Sequence, residues 1–204
     1  MGPTSMKRTF YEPGGSALKH DPLKAIVAPR PIGWISTYSA DRVANLAPYS
    51  FFNLVADSPK IVMFASVGWK DSARNAVASG GFAANLATED LLHQMNVTSG
   101  NHASATSEFD VARLERTDCR RVDAPMLATA RAVIECEVTE TLIPRTTSGD
   151  ETESVIVFGQ VVAYHIDDAL IVDGRFDSAK ARLLSRLGYF DYGVVDRTFE
   201  LRRP

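Results

Sequence analysis

PRPIGWIST (residues 29–37) and NLAPYSFFN (residues 45–53) are the stretches on which the reading of this chain turns. Residues in a strand alternate sides, so Trp34, Ser36 and Tyr38 share one face while Ile35 and Thr37 share the other. Residues 32–38 and 43–47 read as two short strands joined at SADRV, with Asp41 in the turn. Pro29 and Pro31 fix the backbone and lack N–H donors, which suits a rim better than a central strand. Rigid prolines beside flat rings make a preset wall for a planar ligand, with little entropy left to lose on binding. Asn45, Ser50 and Asn53 can then read the ligand's polar edge. The plain alternative is turn prolines and core aromatics.

Outward from these stretches the chain stays mostly β. KIVMFASV (60–67) is a nearly continuous apolar run, as expected of a strand buried on both faces. In DSARNAVASGG the period changes: Asp71 is a candidate cap, Ala73, Ala76 and Val77 fall at helical spacing, and Gly80 or Gly81 stops the helix. GFAANLA returns to strand, and TEDLLHQMNVTSG is a second helix with Thr88 as N-cap. Residues 100–125 are polar and irregular, with Phe109, Val111 and Leu114 as anchors. In 131–139, Ala132, Ile134, Cys136 and Val138 take one face while Arg131, Glu135, Glu137 and Thr139 take the other. TTSGDETE turns, SVIVFGQVVAYHI comes back, and SAKARLLSRL is a short helix before an aromatic tail. Many β segments with few helices between them point to a mainly β, antiparallel barrel with added helices.

Composition narrows the partners. The 204 residues hold 45% hydrophobic and 23% charged side chains with a net charge of −3, so no basic field recruits nucleic acid or an anionic membrane. No apolar run approaches the roughly 18 residues of a membrane span. Two cysteines, Cys119 and Cys136, have no metal spacing and fit a reducing cytoplasm. MGPTS, residues 1–5, reads as an expression remnant before a native Met6.

A second constellation is WKDSARN (69–75), which sets Lys70, Asp71, Ser72, Arg74 and Asn75 at a helix start. Helix N-termini carry unpaired N–H groups and a partial positive charge, so these residue types can cradle a phosphate; an ordinary solvated helix start is the alternative. His20, His93, His102 and His165 show no ligand spacing, so no metal is expected. Neither GxSxG nor GxGxxG occurs.

The run from HDPLKAIVAPRPIGWISTYSADRV to DSPKIVMFAS, followed by KDSARN, FAANLA and HIDDALIVDGRFDSAKARLLSRLGYFDY, resembles the flavin reductase-like family of FMN-binding split-barrel proteins. That resemblance implies a six-stranded antiparallel Greek-key split barrel forming one domain over residues 6–204, a homodimer, and FMN (rather than FAD) near the subunit interface. Arg30, Pro31, Ile32 and Trp34 would border the ring system, with Ser36 and Thr37 nearer the ribityl and phosphate end. Asn45, Ala47, Ser50, Phe51, Phe52 and Asn53 would contribute partly through backbone groups. Lys70, Asp71, Ser72 and Asn75 would hold the phosphate, and GYFDY would reach the partner's flavin. A single glycine, Gly188, precedes Tyr189 where many relatives carry a pair.

The implied activity is an NAD(P)H-dependent flavin reductase passing hydride to flavin N5 across roughly 3–3.5 Å, with no side-chain acid or base required. A flavin-dependent oxygenase or a redox protein would then take the electrons. An FMN-containing electron carrier, or a flavoenzyme with another organic substrate, is the first alternative, motivated by residues 100–125 as a cover over the flavin. A non-enzymatic flavin-binding dimer is the second.

Overall fold

The computed structural model describes residues 6–15 and 17–204, so the remnant proposed at 1–5 lies outside the described residues. Among the described residues one large sheet holds seven strands: β1 Gly33–Tyr38, β2 Ala44–Tyr49, β3 Phe52–Asp57, β4 Lys60–Val67, β5 Gly81–Leu86, β6 Ala132–Leu142 and β7 Ser154–Ile166. Their order is β2-β1-β5-β6-β7-β4-β3, and every neighbouring pair is antiparallel.

This connectivity forces the sheet to roll. β2 and β3 are its opposite edges, yet only Ser50 and Phe51 join them. Such a link spans at most about 10 Å, whereas the edges of a flat seven-stranded sheet would lie about 29 Å apart. The edges therefore come together as a barrel, and the Ala65 N–H donating to Phe51 O carries the β3–β4 ladder up to the link. Inside it pack Ile35, Val62, Phe64, Phe82, Cys136 and Val157, closed by Ala73 and Ala76 of helix α1, Asp71–Ser79. Gly33 is the close point of the seam, because a Cβ there would meet the Phe52 ring at 2.5 Å.

A second core lies on the outer face of β1 and β2, where Trp34, Leu46, Met95, Phe109 and Leu127 cluster. It is covered by helix α2, Leu92–Val97, by the turn of helix Glu108–Val111, and by the hairpin Arg116–Asp118/Pro125–Leu127.

Several sequence expectations need correction. β4 is not buried on both faces: Val62, Phe64 and Ser66 are buried, while Ile61, Met63 and Ala65 are half-buried. The main sheet has seven strands rather than six, because 52–57 forms an edge strand by pairing its backbone with β4. In SAKARLLSRL only Ser178–Ala181 is helical; Leu184–Arg186 is a strand held between Arg30–Pro31 and Tyr192–Val194. Glu135, on the face opposite Ala132 and Ile134, is fully buried beneath residues 119–124.

Candidate functional site

The N-cap of α1 is Lys70, and no side chain caps the helix. The usual caps are Ser, Thr, Asp and Asn, whose oxygen accepts an orphan N–H. A lysine ammonium has donors only. The first intrahelical bond runs from the Arg74 N–H to Lys70 O, so the amides of the preceding turn face outward with no capping oxygen. Asp71 does not supply one; its carboxylate pairs with Arg74 and accepts from Ser104 Oγ at 3.0 Å. The helix thus presents its positive end and a cation together.

This end opens into a cavity of about 360 Å³ walled by Asn45, Ala47, Tyr49, Trp69, Lys70 and His102. Behind its wall lies a hydrogen-bonded layer. Asn45 Oδ1 accepts from Ser72 Oγ at 2.7 Å and from Thr37 Oγ1 at 3.4 Å, and Asn75 Nδ2 donates to Thr37 Oγ1 at 3.3 Å. The Asn45 amide donates to Glu108 Oε2 at 3.0 Å, which also accepts the Leu46 N–H at 3.0 Å. A buried carboxylate thereby fixes the orientation of Asn45, and Asn45 fixes Ser72. Burial pushes the Tyr49 phenol up from its ordinary pKa, against the pull of the nearby Ser72 and Ser66 hydroxyls, and keeps it neutral at this wall.

The remaining sequence candidates divide. Arg30, Pro31, Ser50, Phe51, Phe52 and Asn53 line a second cavity of about 510 Å³. The backbone of Ala47–Ser50 leads from the first cavity to the second. The Arg30 guanidinium is already occupied, donating to Lys24 O, to Val27 O at 2.6 Å and to Leu187 O at 2.8 Å. Burial, then Arg186, lowers its pKa.

Three residues lie elsewhere. Ile32 and Trp34 are in the second core, and the Trp34 indole N–H donates to Thr98 Oγ1 at 2.9 Å. Neither offers a face to a ring system. Ser36 points away from α1, donating to Pro125 O at 2.6 Å and accepting from Asn85. Strand alternation explains the split: Thr37 faces the helix start, so its neighbour Ser36 must face away.

Sequence reasoning missed Lys24, whose ammonium stands 6.0 Å over the Phe51 ring, as well as Trp69, Glu108 and the role of His102 in the wall. Trp69 adjoins the helix start and was within reach of the reading. Glu108 and His102 sit in the unpatterned stretch and carried no signal.

Against known proteins, the model of the flavin reductase like domain matches residues 27–180. An uncharacterised protein of Halalkalibacterium halodurans is 36% identical over 184 residues, covering 87% of each chain. Among solved structures, nitrilotriacetate monooxygenase component B from Bacillus cereus superposes with TM-score 0.86 at 26% identity, covering 97% of this chain and 100% of its own. Flavoredoxin of Desulfovibrio vulgaris (Miyazaki F) gives 0.78 at 15% identity over 96% and 97%. A split-barrel-domain protein of Shewanella frigidimarina NCIMB 400 gives 0.79 at 18% identity over 89% and 90%. The rolled sheet with its joined edges is thus a split barrel, and the chain belongs to the flavin reductase like family.

Proposed function

We propose that this chain binds FMN and works as an oxidoreductase that draws hydride from NADH or NADPH. The observation that carries the reading is the helix start whose cap is a lysine: it offers amide donors and a cation to an anion, within a cavity large enough for more than the anion. When bound, the flavin supplies the hydride- and electron-accepting chemistry.

The chain's own groups have distinct tasks. Lys70 and the first-turn amides of α1 hold the phosphate. Thr37, Asn45, Ser72 and Asn75 bond to one another and keep that turn in place. Ser50, Phe51, Phe52 and Asn53 offer apolar surface and polar groups to the ring end, where Lys24 adds positive charge. Leu23, Ile26, Val27, Leu54 and Val55 are exposed, and among the described residues β3 has a backbone ladder with β4 alone. A second copy of this chain would cover these side chains and wall the ring end.

A carrier would have its flavin covered by residues 100–125. Among the described residues lining the second cavity none comes from that stretch, which favours an open ring end and a reductase. The test is a visible spectrum of the protein with FMN, followed by anaerobic NADH or NADPH. Bleaching of the flavin band within a turnover time is expected. Bound flavin that stays oxidised with both nucleotides would refute the reductase, and absence of binding would refute the cofactor.

A further inference from the structure

His102 lines the first cavity from the loop that follows α2, on the wall that also holds Lys70 and the start of α1. Its Nε2 lies 3.2 Å from Val97 O. A carbonyl oxygen has no hydrogen to give, so Nε2 must carry one. In the neutral ring Nδ1 is then a bare acceptor, and it becomes a donor only when the ring is charged.

The ring is held in place. A Cβ on Gly100 would stand 2.9 Å from Nε2, so the imidazole rests against that glycine. The loop is anchored at one end by Thr98, which accepts from Trp34 Nε1 and donates to Met95 O at 2.8 Å. At the other end Ser104 latches onto Asp71.

The charged groups facing this cavity are Lys70 and Arg74 on one side of the balance and Asp71 and Glu108 on the other. Both carboxylates have partners: Asp71 has Arg74 and Ser104, Glu108 has Asn45 and the Leu46 amide. Tyr49, the other titratable side chain there, is kept neutral by burial. An arriving phosphate thus meets one wall group whose hydrogen-bonding sense depends on a proton. With its Nε2 hydrogen held at Val97 O, a neutral His102 has no second N–H to offer the anion, and a dianion favours the charged ring, which has one.

We propose that His102 is a phosphate ligand that gains a proton as FMN binds, so that cofactor binding at neutral pH takes up a proton from solvent. This rests on the FMN reading above. The proton moves from buffer to Nδ1, and no covalent bond changes. The phosphate's own titration has the opposite sign: with a second pKa of about 6, it sheds its remaining proton in a cationic cradle. Net uptake therefore identifies the histidine.

The experiment is calorimetric titration of the protein with FMN at neutral pH in two buffers of different ionisation enthalpy, repeated with riboflavin and with His102→Gln. Glutamine keeps an N–H for Val97 O but cannot titrate. Expected for the native chain is uptake of a fraction of a proton with FMN and none with riboflavin. In His102→Gln that uptake vanishes and FMN affinity falls roughly tenfold, while riboflavin affinity holds. FMN binding without net uptake, or with equal uptake in both proteins, overturns the proposal and leaves the FMN reading standing. Absence of FMN binding to the native chain overturns both.

Discussion

Replacing Glu135 removes the one acceptor on which residues 120–122 depend. Its two oxygens take the backbone N–H groups of Arg120 at 2.9 Å, Arg121 at 2.7 Å and Val122 at 3.1 Å, together with His165 Nε2. In Glu135→Ala each deserted donor costs about 1–3 kcal/mol unless water reaches it. Arg120 and Arg121 are exposed residues, so water recovers part of the loss. With three deserted amides and part of the loss recovered by water, the expected destabilisation is about 3–5 kcal/mol. Glu135→Gln keeps one carbonyl acceptor but turns an NH2 toward donors, for a loss of about 1–3 kcal/mol. Burial pushes the Glu135 carboxyl up, but His165 and the three amides together outweigh it, and its pKa lies below the usual value. A lowered folded-state pKa stabilises fully above the ordinary glutamate value of about 4.3 and ceases to do so as pH falls through the folded value. The advantage of the native chain over Glu135→Gln should therefore hold from neutral pH down to about 4.3 and shrink only below it. Urea unfolding followed by circular dichroism at several pH values reads both quantities. An alanine variant within about 0.5 kcal/mol of the native chain would refute the reasoning.

Other consequences are simpler to read. Lys70→Ala should weaken FMN about 10- to 100-fold in fluorescence quenching while leaving riboflavin unchanged, since only the phosphate contact is lost; equal losses for both would place the lysine elsewhere. A Cβ at Gly159 would lie 2.5 Å from Phe82 and 2.9 Å from the Cys136 Cβ. Gly159→Ala should thus destabilise by about 1–3 kcal/mol through overpacking, seen as a lower urea midpoint. Burial first, then Glu135 and Asp118, raises Cys119 to about 12, and burial raises Cys136 further. Both thiols should resist alkylation at mildly alkaline pH until the chain unfolds, as mass spectrometry of labelled protein will show.

β4 and β7 bury alternate residues, Val62, Phe64 and Ser66 in one and Val155, Val157 and Gly159 in the other, while β1 and β5 are buried along nearly their whole length and were legible as short runs between turn residues. FNLVAD (52–57) was not, since it buries little on either side; it is a strand only because β4 offers a ladder. LSR (184–186) followed helix-like sequence yet pairs with residues more than 150 positions away, which no local pattern encodes. In the site, the charge and spacing of WKDSARN revealed the helix start. The aromatic wall misled: Trp34 and Ser36 belong to a strand face, and period two alone does not say which face meets ligand. Glu108 reaches Asn45 across 63 positions from a stretch without periodicity, so only the fold could join them.

The pinning of Arg30 has a consequence for how the protein comes into being. Its guanidinium bonds Leu187 O across 157 positions, and the Arg30–Pro31 backbone pairs with Ser185 and Arg186. During synthesis Arg30 and Pro31 therefore wait for these partners until residues 185–187 have emerged. Such non-local closure is slow, because the loop must be ordered before its contacts repay the entropy. Arg30 and Pro31 also wall the second cavity. That cavity consequently matures late, and whatever occupies it meets a chain already made as far as Leu187.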